Sequence, residues 1–368
     1  MAKNRDTKVL VIDDSAFNRQ TITSMLSRVE GVTVVARAGD GNEGLKQVFA
    51  HEPDVITLDL EMPRMDGFTF LRILMRRRPT PVVVISSHSK QENVFKALEL
   101  GALDFIAKPT QSISKELRGI EDDLVNKVKL FGQLRQVSLA ERAQIPEPTA
   151  PADDEDTPVE PASQPLRVVC IGASTGGPPA LKQVFAALPV GVPVAAVISQ
   201  HMPASFTAAF AERLDRASQL EIRQARSGDR LRTGIGLVAP GAASIALERH
   251  ADGGVRVRVE TVDETAEAQG GERPRYIPSI DRMMRTAADV LGPDVLGILL
   301  TGMGDDGAAG IQAVKRMGGA TVAEAAESAV IFGMPEAAIA TGAVDEVVHL
   351  DAIAARIARH GARKPGSQ

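Results

Sequence analysis

The chain has 368 residues, of which 44% are apolar and 24% are charged, and its formal net charge is −5. This composition is typical of globular domains, and the length is sufficient for two of them. The near-neutral charge argues against the basic surface of a nucleic-acid-binding protein, the single cysteine excludes an intrachain disulfide, and no apolar run could span a membrane. We therefore predict a cytoplasmic protein with no nucleic-acid partner and no direct membrane insertion.

The first 130 residues alternate short apolar runs with helical patterns, which indicates a parallel sheet covered by helices on both faces. The predicted strands are 9–12, 32–36, 55–58, 82–85 and 105–107. The predicted helices are 15–29, 41–51, 67–77, 91–100 and 112–130. Residues 1–130 are therefore predicted to form a doubly wound α/β domain with five strands.

Residues 131–165 are predicted to be a linker. Between residues 143 and 165 the chain has six prolines, the acidic run 153–156 and no lysine or arginine. A segment of this composition repels itself and cannot bury enough apolar surface to fold. The chain is therefore divided here into two domains.

Residues 166–368 resume the alternation of apolar runs and helical patterns. The predicted strands are 167–171, 194–199, 236–239, 255–259, 295–300 and 320–323. The predicted helices are 178–187, 204–216, 279–290, 308–317, 335–341 and 351–359. Residues 244–259 alternate like a hairpin with its turn at Asp252-Gly253-Gly254. The prediction is a mostly parallel α/β domain with an antiparallel appendage.

Polar residues of the first domain stand where its predicted strands end. Asp13 and Asp14 follow the first strand, Asp59 the third and Lys108 the fifth, and Ser86 ends the fourth. The carboxyl ends of parallel strands meet at one edge, and three carboxylates there repel one another unless a cation joins them. Oxygen ligands suit Mg²⁺, which also binds phosphoryl oxygens. Lys108 could neutralise an added phosphoryl group, and Ser86 could donate a hydrogen bond to it.

Three loops of the second domain each follow an apolar run and carry Ser174, His201 and Asp306. A serine is a weak nucleophile that needs an adjacent base, and a carboxylate can orient that base. The glycine-rich loop around Ser174 could equally cradle a nucleotide phosphate, although the spacings of the dinucleotide and P-loop motifs are absent near it. A serine hydrolase is the favoured interpretation.

Residues 7–130 resemble the receiver domain of two-component response regulators. The resemblance implies that Asp59 accepts a phosphoryl group from a histidine kinase. It implies a Mg²⁺ site formed by Asp13, Asp14, Asp59 and the backbone carbonyl of Glu61. It also implies three residues that respond to phosphorylation: Ser86, Phe105 and Lys108.

Residues 166–350 resemble the catalytic domain of the chemotaxis response regulator protein-glutamate methylesterases, the CheB family. The matching motifs are the loop around Ser174, Gln200-His201-Met202-Pro203, Val238-Ala239-Pro240-Gly241, the loop 301–307 and Phe332-Gly333-Met334-Pro335. A receiver joined to this domain by a linker is the full architecture of that family.

The resemblance implies a phosphorylation-activated hydrolase that removes methyl esters from glutamate side chains on the cytoplasmic helices of chemoreceptors. It implies deamidation of receptor glutamines by the same site. Ser174 would be the nucleophile and His201 the general base. Asp306, rather than the neighbouring Asp305, would hold His201.

The resemblance further implies an oxyanion hole formed by the backbone amides of Thr175 and Met303, with no cofactor for the ester chemistry. We also expect the unphosphorylated receiver to cover the cleft at Ser174, and phosphorylation of Asp59 to open it. Three alternatives stay open. They are a paralogue acting on a different methylated receptor, a non-catalytic regulator that docks on receptors, and a second domain that binds DNA or a nucleotide.

Overall fold

The computed structural model describes residues 6–86, 91–108, 114–132, 134, 166–268, 270–271 and 274–362, with the backbone alone for 114–119. The chain divides into two compact units, Met1–Glu147 and Pro148–Gln368, and each is described by itself. Of the predicted linker, only residues 131, 132 and 134 are among the described residues.

The first unit contains all five predicted strands and all five predicted helices. The strands are β1 (Thr7–Ile12), β2 (Val32–Ala38), β3 (Val55–Asp59), β4 (Val82–Ser86) and β5 (Asp104–Ala107). The helices are α1 (Ala16–Leu26), α2 (Gly41–His51), α3 (Gly67–Arg77), α4 (Gln91–Glu99) and α5 (Ser114–Phe131). All neighbouring strands are parallel, in the order β2-β1-β3-β4-β5. The predicted doubly wound five-stranded domain is confirmed.

Short polar residues start three of these helices. The side chains of Ser15, Asp40 and Asp66 each accept a hydrogen bond from a backbone amide in the first turn of α1, α2 and α3. Such caps satisfy amides that have no partner inside a helix. The sequence therefore sets where each helix leaves the carboxyl edge of the sheet.

The second unit is built on one parallel sheet and one hairpin. Its strands are β6 (Val168–Ala173), β7 (Ala195–Gln200), β8 (Glu221–Gln224), β9 (Ile235–Val238), β10 (Ser244–Arg249), β11 (Val255–Glu260), β12 (Val295–Leu299), β13 (Ala320–Glu324) and β14 (Glu346–Val348). Its helices are α6 (Gly177–Ala186), α7 (Ala204–Ala217), α8 (Val262–Ala268), α9 (Ile280–Leu291), α10 (Ala308–Arg316), α11 (Gly333–Ala340) and α12 (Leu350–Gly361), with a 3₁₀ turn at Gly292–Asp294.

Strand β6 lies at the centre of the seven-stranded sheet, whose order is β14-β13-β12-β6-β7-β9-β8. All its neighbouring pairs are parallel, while β10 and β11 form the predicted antiparallel hairpin. The chain order reverses on either side of β6, and such a point opens a crevice at the carboxyl ends of the strands. Among the described residues, no helix is both long enough and apolar enough to cross a membrane.

Candidate active site and phosphorylation site

The three loops singled out in the second unit meet at the carboxyl end of its central strands. The backbone amide of His201 donates to the carbonyl of Ala173 at 3.0 Å, and that of Ser174 donates to the carbonyl of Thr301 at 3.0 Å. These bonds continue the β6–β7 and β6–β12 pairings one step beyond the strands. The sheet itself therefore sets Ser174 beside both His201 and the loop that carries Asp306.

Asp306 holds the imidazole of His201. Its Oδ2 lies 2.8 Å from His201 Nε2, and only 4% of the residue is exposed. The amides of Ile280 and Asp281, at the start of α9, donate to the same carboxylate at 2.8 and 3.0 Å. When Nε2 donates to this carboxylate, Nδ1 is the ring nitrogen that is left for a serine hydroxyl. The arrangement can orient the ring and stabilise its protonated form.

Asp281 returns the same interaction to the next helix. Its Oδ1 accepts from the amides of Gly307 and Gly310, at 3.0 and 2.6 Å, at the start of α10. Burial, followed by the nearby charge of Asp306, raises the pKa of Asp281 to about 6. The Asp306 carboxylate thus lies at the N-terminus of α9, and the Asp281 carboxyl lies at the N-terminus of α10. Negative charge is stabilised at both positions. No motif in the sequence marks Asp281 as part of the candidate site.

Ser174 is half-buried, and its carbonyl accepts a hydrogen bond from Gln200 Nε2 at 2.8 Å. Within the described part of the chain, no hydrogen bond joins Ser174 to His201. Hydrogen bonds between catalytic groups are often formed only once substrate is bound. The structure therefore brings the serine and the histidine to adjacent strand ends without joining their side chains.

The loop after β12 is fixed tightly against Ser174. Gly302 donates to the carbonyl of Ile331 at 3.0 Å, and its own carbonyl accepts from Met334 at 2.9 Å. A Cβ at Gly302 would lie 2.8 Å from the Cβ of Ser174 and 2.3 Å from the sulfur of Met334. The absence of a side chain is what allows this close approach.

Thr175 and Met303, the two predicted oxyanion residues, lie on the two loops that this approach joins. The hydroxyl of Thr301 donates to the carbonyl of Thr175 at 2.9 Å, which ties the loops together. Thr175 is 4% exposed, and Met303 is partly buried. The Met303 amide makes no hydrogen bond to any residue that the structure describes.

Tyr276 is a second residue that lies at this site without a motif in the sequence to mark it. Its ring is stacked on that of His201, with the centroids 5.2 Å apart and the planes 7° from parallel. Its hydroxyl donates to Asp305 Oδ1 at 3.2 Å. The only signal in the sequence is that Tyr276 is the single tyrosine of the chain. Asp305 therefore faces the tyrosine, while Asp306 faces the histidine.

The predicted phosphorylation site lies at the carboxyl edge of the first sheet. Asp13, Asp14 and Asp59 offer carboxylate oxygens that all lie within 4.8 Å of one another. Lys108 Nζ lies 2.5 Å from Asp59 Oδ2 and 3.5 Å from Asp13 Oδ2. Asp13 and Asp59 are 1% and 3% exposed, whereas Asp14 is exposed. Glu61 follows Asp59 closely, and its amide donates to Asp59 Oδ1 at 3.3 Å.

Burial disfavours the charged form of the carboxylates in this cluster. It raises the pKa of Asp59, although the hydrogen bond and charge of Lys108 act in the opposite direction. It raises the pKa of Asp13 as well, with the charge of Asp59 adding to the effect. Burial opposes the charge of Lys108, but its contacts with Asp59 and Asp13 outweigh this and raise its pKa. A donor set of hard oxygens with excess negative charge fits Mg²⁺.

Ser86 and Phe105, two of the predicted switch residues, are 5% and 3% exposed. The Ser86 carbonyl accepts from the amide of Lys108 at 2.7 Å, and β4 pairs with β3 up to Asp59. Phe105 meets Phe95 edge to face, with ring centroids 6.5 Å apart. Of the three predicted switch residues, Ser86 ends β4 and Lys108 directly follows β5 at the edge that carries the acidic cluster, whereas Phe105 lies near the start of β5.

The fold and the two sites define a class of protein. Its members join a receiver domain to a parallel α/β domain that brings a serine, a histidine and an aspartate to neighbouring loops. Residues 169–357 match the CheB methylesterase family model, and residues 9–118 match the response regulator receiver domain. The chain belongs to the CheB methylesterase family, which confirms the resemblance stated from its motifs.

Several curated relatives are similar over almost their whole length. The protein-glutamate methylesterase/protein-glutamine glutaminase 3 of Geobacter sulfurreducens is 49% identical over 96% of this chain and 97% of its own. The protein numbered 6 under the same name in Anaeromyxobacter dehalogenans is 47% identical over 96% of each chain. Protein 1 of Myxococcus xanthus is 45% identical over 97% of each chain.

Proposed function

We propose that the protein is a phosphorylation-activated hydrolase that removes methyl esters from glutamate side chains of cytoplasmic chemoreceptor helices. We further propose that it deamidates receptor glutamines with the same residues. The observation that carries the proposal is the 2.8 Å contact between His201 and Asp306 at the strand end next to Ser174. The names of the curated relatives support the substrate class.

The ester reaction takes place in two stages. Ser174 Oγ attacks the ester carbonyl carbon while His201 Nδ1 accepts the serine proton, and Asp306 stabilises the resulting imidazolium. The amides of Thr175 and Met303 donate to the oxyanion of the tetrahedral intermediate. Methanol leaves after taking the proton from His201, and an acyl-enzyme remains. Water, deprotonated by His201, then releases the glutamate carboxylate and regenerates Ser174.

In the receiver, Asp59 would accept a phosphoryl group from the chemotaxis histidine kinase. Asp13, Asp14, Asp59 and the carbonyl of Glu61 would hold Mg²⁺, which neutralises phosphoryl charge when bound. Lys108 would release Asp59 and pair with the new phosphoryl oxygens. Ser86 would donate to the same group, and Phe105 would change its packing in response.

Regulation would follow from competition between the receiver and the receptor for the cleft at Ser174. The unphosphorylated receiver would cover the cleft, and phosphorylation of Asp59 would expose it. A shift from 1:99 to 99:1 needs about 5.5 kcal/mol of differential interaction, so one phosphoryl group would give partial activation. Removal of residues 1–145 should therefore raise basal activity in a folded fragment.

The test is methanol release from methylated receptor membranes with Mg²⁺, with and without acetyl phosphate. Wild type, Ser174→Ala and Asp59→Asn are compared, with Ser218→Ala as a control serine at the end of α7. Release that requires Ser174, and that acetyl phosphate raises only when Asp59 is present, would support both halves of the proposal. Receptor binding without any release would favour a non-catalytic docking protein. Release that is indifferent to Ser174 would overturn the assignment of the nucleophile.

A further inference from the structure

Tyr276 has no part in the mechanism described above, yet it makes the only ring contact with the candidate base among the described residues. We propose that Tyr276 is a positioning residue whose ring fixes the plane of the His201 imidazole and stabilises its protonated form. The proposal rests on the proposed function, because it assigns to Tyr276 a role in the proton transfer from Ser174.

The stacking geometry suits a charged imidazole. The two rings are 7° from parallel with their centroids 5.2 Å apart, within the range for an offset stack. A cation within about 6 Å of an aromatic face is attracted by the negative charge of that face. His201 gains its positive charge only as Ser174 loses a proton. The attraction is therefore stronger in the transition state than in the resting enzyme, which is the condition for acceleration.

The stack also removes a freedom that Asp306 leaves. The contact at Nε2 fixes one atom of the imidazole but permits the ring to turn about that hydrogen bond. A flat aromatic surface against the imidazole restricts this rotation. Nδ1 is then held in one direction, as general-base catalysis at Ser174 requires.

Tyr276 is itself anchored to the loop that carries the site. Its hydroxyl reaches Asp305, next to Asp306, at 3.2 Å. The passage beside Gly304 is narrow, since a Cβ there would lie 2.3 Å from the tyrosine hydroxyl, and Gly304 has a φ of +92°. A residue with a side chain would be strained at this φ and would also block the hydroxyl. The tyrosine thus ties the segment before α9 to the loop of Asp306.

The charges around the stack are few among the described residues. Asp306 contacts His201 directly, and Asp281 lies beyond Asp306. The guanidinium carbon of Arg275 is 5.1 Å from the Tyr276 centroid, but the Arg275 side chain is 75% exposed and its effect is screened. Burial, with the charge of Asp305, raises the pKa of the Tyr276 hydroxyl. The phenol therefore stays protonated at neutral pH.

The experiment uses the full-length protein and compares Tyr276→Phe, Tyr276→Leu and Tyr276→Met with wild type and Ser174→Ala. Methanol release from receptor membranes gives kcat, KM and the pH profile of kcat/KM. Tyr276→Leu and Tyr276→Met should lower kcat about tenfold with little change in KM. In both variants the acidic limb of the pH profile of kcat/KM should move to lower pH, because the protonated imidazole has lost its aromatic partner. Tyr276→Phe keeps the ring and should stay within about twofold of wild type.

A second experiment changes the charge of the ring but keeps its shape, in case the aliphatic variants fold poorly. Tyr276 is the only tyrosine, so global incorporation of 3-fluorotyrosine alters this site alone. Fluorine withdraws charge from the ring face, and kcat should fall by about twofold at a pH where the phenol stays protonated. Arg275→Gln, which leaves the ring in place, is the matched control and should keep the wild-type pH profile.

The outcomes separate this proposal from the proposed function. If wild type and Ser174→Ala behave alike, the proposed catalytic role of Ser174 fails. If wild type depends on Ser174 but the aliphatic variants keep its kcat and pH profile, the role of Tyr276 alone is overturned. If Tyr276→Phe loses as much as Tyr276→Leu, the hydroxyl rather than the ring is responsible, and the proposal is also wrong.

Discussion

The two candidate sites occupy the same place in two parallel sheets but balance charge in opposite ways. In the receiver, buried carboxylates face one another and share one cation, Lys108. In the second unit, the carboxylate of Asp306 faces two backbone amides and one imidazole. The first arrangement calls for an external ion or phosphoryl group to complete it. The second is satisfied internally and suits the transfer of a proton between fixed groups.

The largest effect is expected at the candidate active site of the second unit, where Asp306 contacts His201. Asp306→Asn should lower kcat for methanol release about 10³–10⁴-fold, because an amide cannot stabilise the imidazolium and can present the wrong group to His201. The neighbouring Asp305 side chain is 63% exposed, so Asp305→Asn is a matched control that should cost less than about threefold. An equal loss in both variants would remove the distinction between the two aspartates.

Gly302→Ala tests whether that site depends on the close approach of two loops. The new Cβ would collide with Ser174 and Met334, and the resulting shift of the loop that carries Met303 should lower kcat about 10²-fold. Gly39→Ala is the control, since a Cβ there would meet its nearest atoms at an ordinary 3.7 Å. Kinetics and thermal melting would be measured together. Full activity in Gly302→Ala would show that the loop can yield without loss of function.

The raised pKa of the Asp281 carboxyl, in the second site, can be tested through the pH dependence of stability. Its pKa rises from 3.8 to about 6, so the folded protein binds this proton more tightly than the unfolded chain. The proton on Asp281 therefore stabilises the folded state at low pH, and this stabilisation is lost as the pH rises through about 6. Between pH 4.5 and 7 the wild type should lose roughly 2 kcal/mol relative to Asp281→Asn, which keeps the acceptor oxygen without the charge.

Urea unfolding followed by tyrosine fluorescence measures this difference, because Tyr276 is the only tyrosine and the chain has no tryptophan. Asp289→Asn, exposed on the same helix, is the control and should show no such pH dependence. Parallel stability curves for wild type and Asp281→Asn would contradict the raised pKa.

The smallest expected effect concerns the site that needs an external ion. Asp13→Asn should raise the Mg²⁺ concentration for half-maximal phosphorylation by acetyl phosphate at least about tenfold, because one carboxylate ligand is lost. Asp66→Asn leaves a helix cap intact and is the matched control. An unchanged Mg²⁺ requirement would place the ion elsewhere and weaken the contrast between the sites.

The sequence was most informative where strands end. Asp13 and Asp59 of the first domain were predicted to converge, and Ser174 and His201 of the second were placed at strand ends, because parallel strands bring their carboxyl ends to one edge of a sheet. Strands β8 and β14 were missed. They are short strands at the two edges of the sheet, and their burial patterns hold one fully buried residue or none. The helix α8 was also missed, since only Thr265 within it is buried and no apolar face marks it.

The contacts of Tyr276 and Asp281 could not be predicted for a different reason. Both depend on the path of the irregular segment before α9, and that path is set by packing against the loop of Asp306 rather than by a periodic pattern. A residue pattern can indicate a helix start at Ser279, as the observed cap bears out, but it does not say which loop the start faces. Tertiary contacts between irregular segments therefore appear only in the structure.

The central position of β6 has a consequence for the order of synthesis. The receiver, which matches its family model over residues 9–118, is synthesised before the second unit. The candidate active site needs strands that precede and follow a long stretch of chain, since Asp306 lies beyond both the hairpin and α9. A chain that ends before residue 306 would therefore contain Asp13, Asp59 and Lys108 of the candidate phosphorylation site but would lack Asp306 of the candidate active site.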